Sequence, residues 1–489
     1  LKNTIKRTSF YLLLGFLPLA SNFLVAPLFT RVLPPVEYGL IALATLFQNY
    51  LTVTIDVGLK GGFSRYYFRF YKSSKIVSTL LSTTVIALVA IALITYTVLL
   101  FFGEQLFQLV FENKLFTFSR YGHYVFILSF SALLNAVVLS YFRNGENLKY
   151  FAILSISTFA LMTLGAVTGV LIYKQGALGS IVGKMAGSGI IVLAFLIAFY
   201  KKHSLRFEWR LLKPMLKYGL PLIPFGLLGI TIQNLDRFFI ERYFNLQVLG
   251  QYNVAFLIST IPFILLNAFQ SSINPGILKL LENTKSNNKV NAYKEISGNF
   301  RLMIFFMGIT LLAMITLSGV VVMFYVGEEY REIIKYLPIL ILAFIPLIYQ
   351  SMYSLLLFYH YQSKLLPLLS LFTLIVAVGL NMLLIPLYGV YGVAFAVLGK
   401  NIVYAICTFI AVKKKGFYVP EMFDLGKVKA IPFVISGCGL VAFIFIYMYP
   451  QLSHLITGII GSLTGAFLLF FFRSEVISVF TSVKMKFNF

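Results

Sequence analysis

Two lysines carry the sharpest chemical signal in this sequence. Lys184 stands in VGK and Lys400 in LGK, each within an apolar run that opens on a glycine, Gly176 in GALGS and Gly389 in GVYGV. Counted from those glycines at about 1.5 Å per helical residue, they lie roughly 12 and 16 Å into a hydrocarbon core about 30 Å thick. A lysine at that depth costs about 2.5–3.5 kcal/mol on insertion scales. Two readings stand for such a cation. Either it snorkels or pairs with backbone carbonyls in a packed core, or it lines a water-filled cavity and binds an anion. Occurrence at two corresponding places favours anion binding.

Asp236 and Arg237 follow in QNLDRFFIERYF. If their helix extends to about Phe244 they lie inside the membrane, where the acid can take up H⁺ or Na⁺ and the arginine can hold a phosphate bidentately. The competing reading is an interfacial pair. Asp56, in TIDVGL, is either a second ion-coupling carboxylate or a helix-end contact, and Arg31, at the outer mouth, is either a substrate contact or an interfacial anchor. His123, His203, His360 and His454 are scattered, and Cys407 and Cys438 lie in separate apolar runs. No metalloprotease, serine-nucleophile or phosphate-loop spacing is present, so neither an enzyme nor a metal or cofactor site is expected.

The elements that must position these residues follow from composition. Of 489 residues 59% are apolar and 11% charged, against about 25% charged in soluble domains. A soluble enzyme is excluded. Fourteen spans are predicted: Thr8–Thr30, Gly39–Val57, Val77–Phe102, Tyr121–Phe142, Tyr150–Tyr173, Ala177–Tyr200, Tyr218–Leu235, Gly250–Pro275, Leu302–Val326, Leu337–Tyr359, Leu365–Ile385, Val390–Val412, Ala430–Tyr449 and Leu455–Phe472. Their lengths suit helices and exclude barrel strands. Lys2, Lys6 and Arg7 precede the first span like a signal peptide, but without a cleavage site the span is read as retained, and Leu1 leaves the true start open.

The formal charge of +24 raises the question of a nucleic-acid partner. Sorting the 40 Lys and Arg into alternate loops places 30 on one side and 8 on the other, with two inside spans, so the positive-inside rule accounts for the charge without nucleic acid and puts both termini in the cytoplasm. One basic loop, Lys60 to Lys75, interleaves aromatics and is expected on the anionic inner leaflet, among membrane lipids. Prolines inside spans, Pro221, Pro224 and Pro346 among them, predict kinks.

A repeat relates the halves. VEYGLIA (Val36 to Ala42) aligns with GQYNVAF (Gly250 to Phe256), Tyr38 on Tyr252, and GALGS aligns with GVYGV, bringing Lys184 beside Lys400. The expected fold is an all-α integral membrane protein with 14 transmembrane helices. Two six-helix lobes, residues 1–200 and 218–415, are related by a pseudo-two-fold along the membrane normal and joined by a basic linker at 201–217. Residues 416–489 add two helices and a cytoplasmic tail. Such a bundle without a nucleotide-binding domain points to a secondary transporter with its site between the lobes.

The segments RVLPPVEYGLIA (Arg31 to Ala42), DVGL (Asp56 to Leu59), YGLPLIP (Tyr218 to Pro224), DRFFIERYFN (Asp236 to Asn245) and LGQYNVAF (Leu249 to Phe256) resemble Wzx-type polysaccharide transporters, the O-antigen and capsule-repeat flippases of the multidrug/oligosaccharidyl-lipid/polysaccharide (MOP) exporter superfamily. The resemblance covers essentially the whole chain. It implies translocation of undecaprenyl-diphosphate-linked oligosaccharide from inner to outer leaflet of a bacterial cytoplasmic membrane, in the company of glycosyltransferases and a polysaccharide polymerase. A lipid II flippase and a multidrug exporter of the same superfamily are the alternatives, and a non-transporting assembly scaffold is disfavoured by the midplane charges.

Overall fold

The computed structural model describes residues 14, 17, 21–201, 204–283, 289–362 and 364–471, and among them every regular element is helical. Among the described residues thirteen helices are long and apolar enough to cross a membrane, and each coincides with one of the predicted spans from the second to the fourteenth. Much of the first predicted span lies outside the described residues. The chain is a multi-pass membrane protein.

The chain divides into two compact units after Asn253. The first contains α1 (21–32), α2 (Pro35–Asp56), α3 (Leu59–Phe70), α4 (Ser74–Val110), α5 (His123–Asn144), α6 (Leu148–Leu171), α7 (Gly176–Tyr200), α8 (Trp209–Gly219), α9 (Ile223–Tyr243) and the first turns of α10 (Leu246–Ser259). Local chemistry sets the breaks. Pro34 and Pro35 start α2, where a missing N–H costs nothing. Ser73 and Asn147 cap α4 and α6 by accepting the Ile76 and Tyr150 N–H groups.

Within the first unit α9 packs along α2. Gly58 lies directly against Gly219 at one end and Gly39 against the Leu246 carbonyl at the other. Between them the Tyr50 and Thr231 hydroxyls share a hydrogen bond of 2.9 Å. Gly58, at φ 72°, occupies the left-handed region and leaves no room for a Cβ, so only glycine meets both demands. The basic linker expected over 201–217 folds in part as α8: Leu212, Met215 and Gly219, three and four residues apart, are its buried stripe.

The second unit contains α11 (Ile261–Asn283), α12 (Lys289–Tyr325), α13 (Leu337–Leu342), α14 (Ile345–Tyr359), α15 (Leu365–Tyr388), α16 (Val390–Lys414), α17 (Ile431–Met448) and α18 (Ser453–Phe471). The last two, outside the repeat, pack on α12, with Gly308 against Ile431 and Gly319 against His454. Their connection to α16 is also tied down. The Asp424 carbonyl accepts Ser297 Oγ at 2.5 Å and Arg301 Nε at 2.8 Å, while its carboxylate pairs with the Arg301 guanidinium at 3.0 Å.

Candidate functional site

The position of Lys184 is set by glycines on its own helix. Gly179 and Gly183 of α7 lie against the backbone carbonyls of Gly169 and Gly165 of α6, and Gly187 lies against that of Leu161. This brings the two backbones together without side chains between them, the small-residue packing of membrane helices. Lys184, beside the seam, is half-buried, and its Nζ donates to Asn22 Oδ1 on α1 at 3.1 Å. One residue away, Ser21 Oγ meets Thr163 Oγ1 of α6 at 2.6 Å. Three helices therefore converge on the lysine, whose recorded partner is a neutral amide oxygen.

Lys400 has a different setting. It lies on α16 in the second unit and is 7% exposed. Its neighbour Asn401 donates to the Ala343 carbonyl at 2.7 Å, where α13 and α14 are interrupted ahead of Pro346 and a carbonyl is left for a side chain to satisfy.

Asp236 and Arg237 lie well inside α9, which reaches Tyr243 as the repeat predicts. Asp236 is 1% exposed; its Oδ2 accepts the Tyr252 hydroxyl at 2.5 Å, and its Oδ1 has no hydrogen-bond partner. Arg237 donates to Asn253 Oδ1 at 3.1 Å and Asn234 Oδ1 at 2.9 Å. A buried carboxylate with one open oxygen beside a hydroxyl is able to take up a proton or a small cation. Asp56 is spent on a helix end, where its Oδ1 accepts the Lys60 N–H at 2.8 Å as α3 begins. Arg31 is exposed at the end of α1.

Two acids assigned no role in the sequence hold the first unit together. Glu37, in the VEYG segment, accepts the Ala177 N–H at 2.6 Å, placing a negative charge on the first turn of α7. Gly176, at φ +57°, packs against that carboxylate where a Cβ would collide. Glu241, in the DRFFIERYF segment, accepts the Asn113 N–H at 2.7 Å in the loop after α4. The one sequence signal for these acids was their place in the segments that carry the family resemblance. Glu37→Ala is expected to remove about 1–2 kcal/mol, read as earlier thermal unfolding in detergent, with Glu37→Gln recovering most of it. An unchanged midpoint in both would mean that water replaces the cap.

Among the described residues no group of three or more His, Cys, Asp or Glu is placed to hold a metal ion. The sequence profile of the family described as "Polysaccharide biosynthesis protein" matches residues 28–335. No curated protein sequence matches the chain. Among solved structures, the lipid II flippase MurJ in an inward closed conformation is 17% identical, covers 96% of this chain and 98% of its own, and superposes with a TM-score of 0.66. An inward-facing multidrug resistance MATE family transporter of the MOP superfamily is 14% identical over 82% of this chain and 94% of its own, TM-score 0.65. The MATE multidrug transporter DinF-BH is 14% identical over 85% and 95%, TM-score 0.59. The fold is the one these transporters share.

Proposed function

We propose, because the chain belongs to the polysaccharide biosynthesis protein family, that it is a flippase carrying undecaprenyl-diphosphate-linked oligosaccharide from the inner to the outer leaflet of a bacterial cytoplasmic membrane. The observation that carries this reading is Lys184, a half-buried cation in the middle of an apolar helix whose recorded partner is neutral. A charge at that depth is costly unless an anion or water compensates it, and a diphosphate is an anion that arrives and leaves with the cargo. Lys400 on the corresponding helix of the repeat, with Arg237 and Arg31, supplies further positive charge. The two lobes, residues 1–200 and 218–415, alternate access around the cargo, with both termini cytoplasmic. No covalent bond changes, so the protein acts as a transporter rather than an enzyme. Glycosyltransferases supply its substrate and a polysaccharide polymerase takes its product.

The drive follows from charge. A diphosphate carries about two negative charges, and an inside-negative potential of 100 mV offers roughly 4.6 kcal/mol for moving them outward. Uptake of H⁺ or Na⁺ at Asp236 is the rival, stronger there than at Asp56, whose carboxylate already accepts a backbone N–H. In proteoliposomes containing lipid-linked oligosaccharide, a potassium-diffusion potential without pH or sodium gradients is expected to drive outward flipping, and Asp236→Asn to leave it intact. Flipping that ignores the potential and needs both an ion gradient and Asp236 would establish ion coupling instead. The second reading, lipid II as cargo, is favoured by the nearly complete mutual coverage with MurJ. The same vesicles with lipid II decide it: faster flipping of lipid II would replace the proposed substrate.

A further inference from the structure

Helices α3 and α8, at the basic end of the first unit, form a pair whose inner and outer faces differ in chemistry. On the inner side Gly62 packs against Met215 and Gly58 against Gly219, and the Arg65 guanidinium lies 4.6 Å over the Tyr218 ring. Backbone-close packing and a cation–π contact hold the two helices in one register. Outward, α3 presents Lys60 and Arg69 around Phe68, and α8 presents Arg210, Lys213 and Lys217 around Trp209. Phe68 and Trp209 are 60% and 58% exposed, and Tyr71, in the turn after α3, is 61% exposed.

Across residues 57–75 and 204–219 nine exposed cations face a single acid, Glu208. Charge alone would suit any acidic partner. Exposed aromatic rings set among the cations narrow the choice, because Trp, Tyr and Phe at this spacing gain from the boundary between headgroup and acyl chain while lysine and arginine reach the phosphates. We propose that α3 and α8 together form a binding surface selective for anionic phospholipid headgroups of the phosphatidylglycerol type. The proposal does not depend on which cargo is flipped. α3 continues from α2 through Val57 and Gly58, and α8 leads into α9 through Leu220–Leu222, so bound lipid holds the ends of two spanning helices.

Trp209 is the only tryptophan in the chain, which makes its fluorescence a reporter of this surface alone. The full-length protein in phosphatidylcholine vesicles is compared with equal fractions of brominated phosphatidylglycerol or brominated phosphatidylcholine added as quencher. The phosphatidylglycerol is expected to quench Trp209 about two-fold more strongly at low salt, with the difference fading as ionic strength rises. Neutralising Arg69→Gln, Lys72→Gln, Arg210→Gln and Lys213→Gln together is expected to abolish the preference, and the charge-keeping set Arg69→Lys, Lys72→Arg, Arg210→Lys and Lys213→Arg to retain it. Should the neutral variant fail to fold, the salt titration of the wild type decides. Equal quenching by both lipids, a preference that survives neutralisation or high salt, or no quenching by either lipid, as an acidic protein partner covering Trp209 would produce, each overturns the proposal.

Discussion

Lys184→Ala is expected to lower the rate of lipid-linked oligosaccharide flipping about 10- to 150-fold, the equivalent of the roughly 1.5–3 kcal/mol of one charge-assisted hydrogen bond, and to abolish complementation of a flippase-null strain. The thermal midpoint should hardly move, because Lys184 is half-buried and its recorded bond is to the exposed Asn22. Lys184→Arg keeps the charge and should rescue in part. Lys400→Ala is a less clean test, since a side chain 7% exposed leaves a cavity and stranded partners when removed. It should cost transport and stability together. A Lys184→Ala protein that flips at the wild-type rate would make the lysine structural and remove the main support for a diphosphate cargo.

The largest effect on stability is expected at Gly183. In an isolated helix, replacing glycine with a residue bearing a Cβ gains up to about 1 kcal/mol of propensity. On α7 the sign reverses at this position, because the new Cβ would overlap the Gly165 backbone carbonyl of α6, and backbone cannot rotate out of the way. Gly183→Val should therefore cost about 3 kcal/mol or more, at the upper end of overpacking, and yield protein that is poorly inserted or unfolds early in detergent. Gly189→Ala on the same helix is the control: a Cβ there meets nothing within 4 Å, so stability should hold or rise slightly. Equal behaviour of the two variants would mean that the seam between α6 and α7 is looser than the close approach requires. Because Lys184 adjoins Gly183, a separated seam should also impair flipping by displacing the lysine from Asn22.

The spans were legible because crossing hydrocarbon demands about 20 apolar residues with every backbone group bonded within the helix, a condition local in sequence. The two lysines were legible for the same reason, as exceptions to a rule that each helix obeys by itself. The amphipathic helices α3 and α8 were visible only as basic, aromatic segments: at 12 and 11 residues they are short, and the buried stripe that makes them helical packs on partners distant in the chain.

Asp56 and Asp236 read alike in sequence, as acids near helix ends, and the tertiary structure separated them. One accepts a backbone N–H four residues on, and the other is buried with an oxygen left open beside Tyr252. Lys184 and Lys400 matched in depth and repeat position, yet one is half-buried against an amide and the other is nearly closed off. Composition and periodicity by themselves determined that this is a many-helix membrane protein with lysines inside two of its apolar runs, because hydrophobic length and charge are summed residue by residue. Which polar groups remain available to a ligand was decided only by tertiary structure, because burial and hydrogen bonding depend on residues such as Glu37 and Ala177 meeting across 140 positions of chain.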